Sequence, residues 1–182
     1  SEHDYQAGRK LAPGDSVPLV GLGRVHLIAH QPGQAVSYLD EAIKKGSDAP
    51  FVWNDKGVAY DQLRRHKEAQ QAYRQGLAKA PTDRALRTNL ALSLAMTHQF
   101  GEAETLLRAL VAEPGATART RENLALVLGL EGNSDDARRV SRADLDGAAL
   151  DNNERFYQYA RSAITGEPLA SSTASVETDD TT

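Results

Sequence analysis

Four groups of residues in this chain have types and spacings that could do chemistry. His26 and His30 stand four apart on a predicted helix, a separation that puts both imidazoles on one face and could chelate a metal. No acidic or third histidine ligand is placed beside them by sequence, and His26 shares a repeating apolar column with Tyr60 and Leu94. Gly21-Leu22-Gly23 is a fragment of a dinucleotide fingerprint, but no strand precedes it. Asp135 and Asp136 open a helix, where they favour the positive dipole end; Ser134 together with Asp135 is read as the cap. Ser141 and Ser162 have no histidine or acid at a spacing that would activate a hydroxyl. The chain has no cysteine, which removes disulfides, thiolate metal sites and thiol nucleophiles. The expectation is no catalytic residue, no metal and no cofactor, and hence not an enzyme.

The bulk composition points the same way. Of 182 residues, 40% are apolar and 25% charged, with aromatics at only 5%. Alanine and leucine dominate the apolar set, which suits helices packed through small residues better than a β-sandwich. The formal net charge of −4 argues against an electrostatic nucleic-acid binder; Arg138, Arg139 and Arg142 cluster, but among acids. No apolar run reaches the ~18 residues of a membrane span. The first residues, Ser-Glu-His-Asp-Tyr, are neither a signal peptide nor a lipidation site.

A fixed period organises the elements. Asn89-Leu-Ala-Leu-Ser-Leu-Ala95 recurs as Asn123-Leu-Ala-Leu-Val-Leu-Gly129, an offset of 34 residues. Gly23, Gly57, Ala91 and Ala125 keep that spacing, and so do Ala35, Ala69, Ala103 and Ala137. Small residues at such intervals belong where two helices of a hairpin cross. Trp53, Tyr60 and Tyr73 are large enough to fill the space beside the crossing, and Pro81 closes the second helix because proline cannot continue it. Short polar turns, His98–Gly101 and Glu131–Ser134, join the helices.

This pattern resembles the tetratricopeptide repeat, W-x2-L-G-x2-Y…A-x3-F…P. Residues 50–83 carry it best, through Trp53, Gly57, Tyr60, Ala69, Tyr73 and Pro81, with Lys56 where the family usually has leucine. The resemblance implies an all-α solenoid, a right-handed superhelix of antiparallel helix pairs. Its units are expected at 16–49, 50–83, 84–117 and 118–151. Tyr5, Gly8 and Pro13 match Tyr73, Gly76 and Ser47 one or two periods away, so residues 1–15 are expected to be the second helix of a hairpin that starts upstream. Residues 152–164 are expected to form a capping helix with Phe156, Tyr157, Tyr159, Ala160 and Ala163 on its apolar side, and 165–182 a Ser/Thr/Asp-rich disordered tail.

In stacked hairpins the first helices line a concave face. Helical periodicity assigns to that face Phe51, Asn54 and Val58, then Thr88, Asn89, Leu92 and Met96, then Arg119, Glu122, Asn123 and Leu126. Asn89 and Asn123 are equivalent, with Asp55 one unit earlier, and amides can hold a peptide backbone through both donor and acceptor. Alternatively, these asparagines cap or brace neighbouring helices. Arg24 and Arg119 are the chief basic groups on this side, too few for a dicarboxylate clamp. The groove suits an apolar or amphipathic peptide.

A narrower resemblance rests on Val52-Trp-Asn-Asp-Lys-Gly-Val-Ala-Tyr60, Ala118-Arg-Thr-Arg-Glu-Asn-Leu-Ala-Leu-Val-Leu-Gly-Leu130, Asp144-Leu-Asp146 and Asn152-Asn153. Across 17–163 these are similar to the TadD family, tetratricopeptide lipoproteins of the tight-adherence (Flp) pilus system. The resemblance implies a pilotin-like factor at the periplasmic face of the outer membrane that assists the pilus secretin, its partner segment being the secretin's C-terminal peptide. Membrane association would come only through a lipid anchor, and the family's lipidated cysteine has no counterpart here. The alternatives are a self-associating structural scaffold and a tetratricopeptide co-chaperone.

Overall fold

The computed structural model describes residues 2–12 and 14–165; Ser1, Pro13 and, of the tail expected over 165–182, residues 166–182 lie outside the described residues, while Thr165 is helical. It is all-helical, with no strand among the described residues: α1 (Glu2–Leu11), α2 (Val17–Ile28), α3 (Pro32–Lys44), α4 (Pro50–Gln62), α5 (His66–Lys79), α6 (Arg84–Ala95), α7 (Phe100–Ala112), α8 (Ala118–Glu131), α9 (Ser134–Ser141) and α10 (Gly147–Thr165). None of them is long and apolar enough to cross a membrane.

The four hairpins α2–α3, α4–α5, α6–α7 and α8–α9 are closed by the same device. His30, Arg64, His98 and Gly132, each 34 residues after the last, take positive φ of 54°, 59°, 60° and 102°. The next amide in each turn reaches back to the first helix: Gln31 to the His26 carbonyl, Arg65 to Tyr60, Gln99 to Leu94 and Asn133 to Leu128, at 2.8–3.0 Å. This is the left-handed, six-to-one bonded end that lets an α-helix stop and reverse. Only one of the four turns uses the glycine that accepts this backbone without steric cost.

The two small-residue columns are buried as the period requires, from Gly23 and Gly57 to Ala91 and Ala125, and from Ala35 to Ala137. A side chain at Gly57 would overlap the Tyr73 ring, and one at Gly23 would come within 2.7 Å of Leu39. Lys56, in the column where leucine is usual, instead spans the surface between units. Its ammonium lies 2.6 Å from Asp40 and over the Trp53 and Tyr60 rings, at 5.2 and 5.7 Å.

Successive first helices touch one another, α2 to α4 to α6 to α8, whereas no second helix touches the next second helix among the described residues. The first helices therefore form the tighter layer, and the array curves towards them. Helix α10 continues this row: it packs on α8 as α8 packs on α6. It starts at Gly147, five residues before the expected capping helix, because the Asp146 carboxylate accepts the Ala149 amide at 2.8 Å and the Asp146 carbonyl accepts the Leu150 amide.

Two further expectations are corrected. Ser134 is the first residue of α9 rather than its cap; Asn133 stands at the cap and makes no capping side-chain bond, its amide going to Glu131 at 2.9 Å. On α10, Tyr157 is buried, but Phe156 and Tyr159 are 55% and 64% exposed and Ala163 is also exposed. The apolar side of α10 is narrower than its composition suggests because only α8 and α9 pack against it among the described residues.

Candidate functional site

His26 shows how the histidine pair is used. Its Nδ1 is 2.7 Å from the Gln31 side-chain oxygen, and its ring stacks on Tyr38 at 5.1 Å. It thus braces the same turn whose backbone it caps, and its buried Nε2 faces Glu2 at 3.9 Å without a hydrogen bond. His30 is the exposed left-handed residue of that turn. No cluster of three or more ligating side chains exists among the described residues.

A polar knot that periodicity does not show joins the second and third hairpins. The Asp61 carboxylate accepts hydrogen bonds from Tyr73 Oη and Ser93 Oγ, each at 2.8 Å, and lies 2.8 Å from His66 Nδ1. Beside it the buried Gln70 amide donates to the Ser93 carbonyl and to Thr97 Oγ1, while Gln99 donates to the Gln70 oxygen. Burial, reinforced by the negative charge of Asp61, pushes the Tyr73 hydroxyl far above the ordinary phenol range. These groups satisfy one another and fix the hairpins' register.

The concave row carries the residues that periodicity assigned to it, and they fall into two sets. On α4 and α6, Asn54 and Asn89 meet, Asn89 donating to the Asn54 oxygen at 2.9 Å. Here the bracing role holds. Arg24, expected as a basic group of the face, is neutralised by Asp55 at 2.6 Å and lies 4.8 Å over Phe51, which is 47% exposed. Val58 is half-buried against the core, Thr88 and Leu92 are half-buried on α6, and Met96 is 51% exposed.

On α8 the arrangement is open. Glu122, Asn123 and Leu126 form one wall of a cleft of about 480 Å³. The other wall is Leu145, Ala149, Asn152, Asn153, Phe156 and Tyr157, none of which the sequence pattern placed in the groove. The signal was present: Phe156 stands one period after Glu122 and three after Asn54, so extending the period by one unit puts α10 in the first-helix row. Arg119 is exposed one turn before Glu122, outside the cleft lining.

The cleft has a built foundation. The Tyr157 ring lies where a side chain on Gly129 would otherwise be, over the small Ser141 that replaces the large residue of the preceding units. The loop before α10 is held by Arg121, whose guanidinium grips Asp144 at 2.6 and 2.7 Å. That hydrogen-bonded contact keeps the Asp144 carboxyl below the usual range. Arg138 ties α9 to α10 through Asp151 at 2.7 Å and Glu154 at 3.3 Å.

Residues 50–83 match the tetratricopeptide repeat model. Among curated proteins, the uncharacterized protein y4yS of Sinorhizobium fredii (strain NBRC 101917 / NGR234) is 34% identical over 86 residues, 47% of this chain and 47% of y4yS. The chain thus matches about half the length of that relative. Among solved structures, YrrB, described as a tetratricopeptide protein with an unusual peptide-binding site, superposes with a TM-score of 0.70 at 18% identity, over 88% of this chain and 85% of its own. PilF of Pseudomonas aeruginosa superposes with a TM-score of 0.66 at 15% identity, over 91% and 83%. Residues 50–83 are a tetratricopeptide repeat, and the chain around them folds as a tetratricopeptide-repeat α-solenoid.

Proposed function

We propose that this chain is a protein-binding scaffold that takes an apolar or amphipathic peptide segment along its concave face. The observation that carries this reading is the exposure of Phe51, Met96 and Phe156 on one row of first helices, ending in an open cleft. Isolated exposed apolar side chains are ordinary, but a row of them leading to a cleft with an open amide marks a contact surface. The peptide-binding site of YrrB is consistent with such a use of this fold.

The bound segment is, in this proposal, the C-terminal peptide of the tight-adherence pilus secretin. The protein would then serve as a pilotin-like factor at the periplasmic face of the outer membrane, anchored in its full-length form by lipid. The resemblance of 52–60, 118–130 and 144–153 to the TadD family supports this, as does the fold shared with PilF. Isothermal titration of the secretin's C-terminal peptide into the purified chain tests it. Saturable binding, weakened by Leu92→Asp combined with Asn123→Ala while circular dichroism stays unchanged, is the expected result. Absence of binding, or binding indifferent to both substitutions, sinks the groove.

A further inference from the structure

We infer that the cleft between α8 and α10 selects a peptide in which an apolar side chain and a lysine or arginine stand together, the cation meeting Glu122. This rests on the peptide-binding reading above and specifies the chemistry of its ligand.

Nearly every carboxylate among the described residues already has a partner. Asp40, Glu41 and Asp48 are held by lysine or arginine, as are Asp55, Glu113 and Asp144. Others cap helices or turns, such as Asp83 to the Leu86 amide. Among the described residues only Glu122 and Asp135 have neither an ion pair nor a hydrogen bond, and Asp135 lies in the first turn of α9, where the helix dipole offers compensation. Glu122 has no such site, being in the second turn of α8, and it is exposed in the wall of the open cleft at the end of the concave row.

Its surroundings fit a cation brought from outside. The basic groups around the cleft are committed: Arg121 to Asp144, and Arg155 to the Asn152 side-chain oxygen at 2.7 Å and the Asp151 carbonyl at 3.4 Å. Arg119 is the exception, and it lies outside the lining. Next to Glu122, Asn123 has no side-chain partner among the described residues, which leaves its donor and its acceptor for a peptide backbone. Leu126, Leu145 and Phe156 supply an apolar surface for the neighbouring side chain. The stem of a lysine or arginine can lie along Phe156 while its head reaches Glu122. An acidic peptide would instead set a carboxylate against Glu122, a repulsive contact that acts as a filter.

The test uses the full chain and peptides selected without assuming a partner. Phage-displayed random twelve-residue peptides are panned on the chain, and the best binder is synthesised with its basic residue kept, changed to glutamine and changed to glutamate. Fluorescence anisotropy should rank them lysine or arginine first, with about a two- to fivefold loss on glutamine and a greater loss on glutamate. In Glu122→Gln the preference should vanish while binding persists, and in Glu122→Lys it should reverse. The Asn123 side-chain amide signals of the nitrogen-15-labelled protein should move on binding. Selected peptides that lack a basic residue, or a preference that survives Glu122→Gln, overturn the inference and leave the groove standing. A chain that binds none of the peptides overturns the groove and this inference together.

Discussion

The two ends of the concave row use the same columns of residues in opposite ways. Towards the N-terminus, Arg24 pairs with Asp55 above Phe51, and Asn89 pairs with Asn54. Polar groups there answer one another across adjacent helices and stiffen the stack. Towards the C-terminus, the equivalents Glu122 and Asn123 face the cleft instead, because α10 supplies Phe156 and Tyr157 where the earlier columns hold Asn54 and Asp55. A repeat protein can thus keep its fold constant and place its available chemistry by choosing which units satisfy themselves. In a one-dimensional array each unit answers only to its neighbours, so one unit can leave open the groups that another satisfies without disturbing the rest.

Glycine substitutions in the two regions should break this contrast most severely. In Gly57→Val the new side chain meets Tyr73, which is fully buried and anchored by Asp61, so neither can yield. A cost of about 3 kcal/mol or more is expected, seen as a loss of about 6–12 °C in thermal melts. In Gly129→Val the clash is with Tyr157 on α10, which only α8 and α9 hold among the described residues and which can therefore lift away. A smaller cost is expected there, with faster amide exchange confined to α10 and loss of the cleft. Equal global destabilisation by the two variants would refute the idea of an independent C-terminal end.

The knot at Asp61 gives a second, pH-dependent handle on the inner region. The Tyr73 hydroxyl is raised above its unfolded value near 10, first by burial and then by Asp61. Both states hold the proton below that value, so the contribution is fully present there. Above it the unfolded chain ionises while the folded one cannot, and stability falls as pH rises. The slope is up to about 1.4 kcal/mol per pH unit from this one group. Urea titrations between pH 9 and 11 should show the decline in the natural chain and a shallower one in Tyr73→Phe. Tyr157, raised by burial at the other end, leaves a residual slope.

How much of this was legible in the sequence depends on whether the feature repeats. Gly23, Gly57, Ala91 and Ala125 announce the hairpin crossings because the same steric demand recurs every 34 residues. The Asp61 knot was invisible because it occurs once and draws partners from 5 to 32 residues away. Turns at His98–Gly101 and Glu131–Ser134 were legible, but the left-handed device that closes the hairpins hid for another reason: His30, Arg64 and His98 adopt a glycine-like backbone without being glycine. In the candidate site, periodicity assigned the α8 residues to the concave row but could not show that Asn54 and Asn89 bond, since their separation of 35 crosses columns. Nor did it place α10 in the row, because its side chains keep the period without the motif's residue types.

The smallest expected effect separates the two asparagines, and it bears most directly on the comparison. Asn89 spends its donor on Asn54, so Asn89→Ala removes a hydrogen bond between α4 and α6. About 0.5–1 kcal/mol of stability should go with it, since both groups are half-buried and water can partly replace the bond. Asn123 makes no such bond among the described residues, and Asn123→Ala should leave stability within about 0.5 kcal/mol of the natural chain. For binding the order should invert: Asn123→Ala should weaken a peptide held in the cleft several-fold more than Asn89→Ala does. Paired denaturation and anisotropy measurements on both variants read this crossing directly. If Asn89→Ala costs affinity without costing stability, the bond to Asn54 is only a resting arrangement, and the open part of the groove extends over α4 and α6 as well.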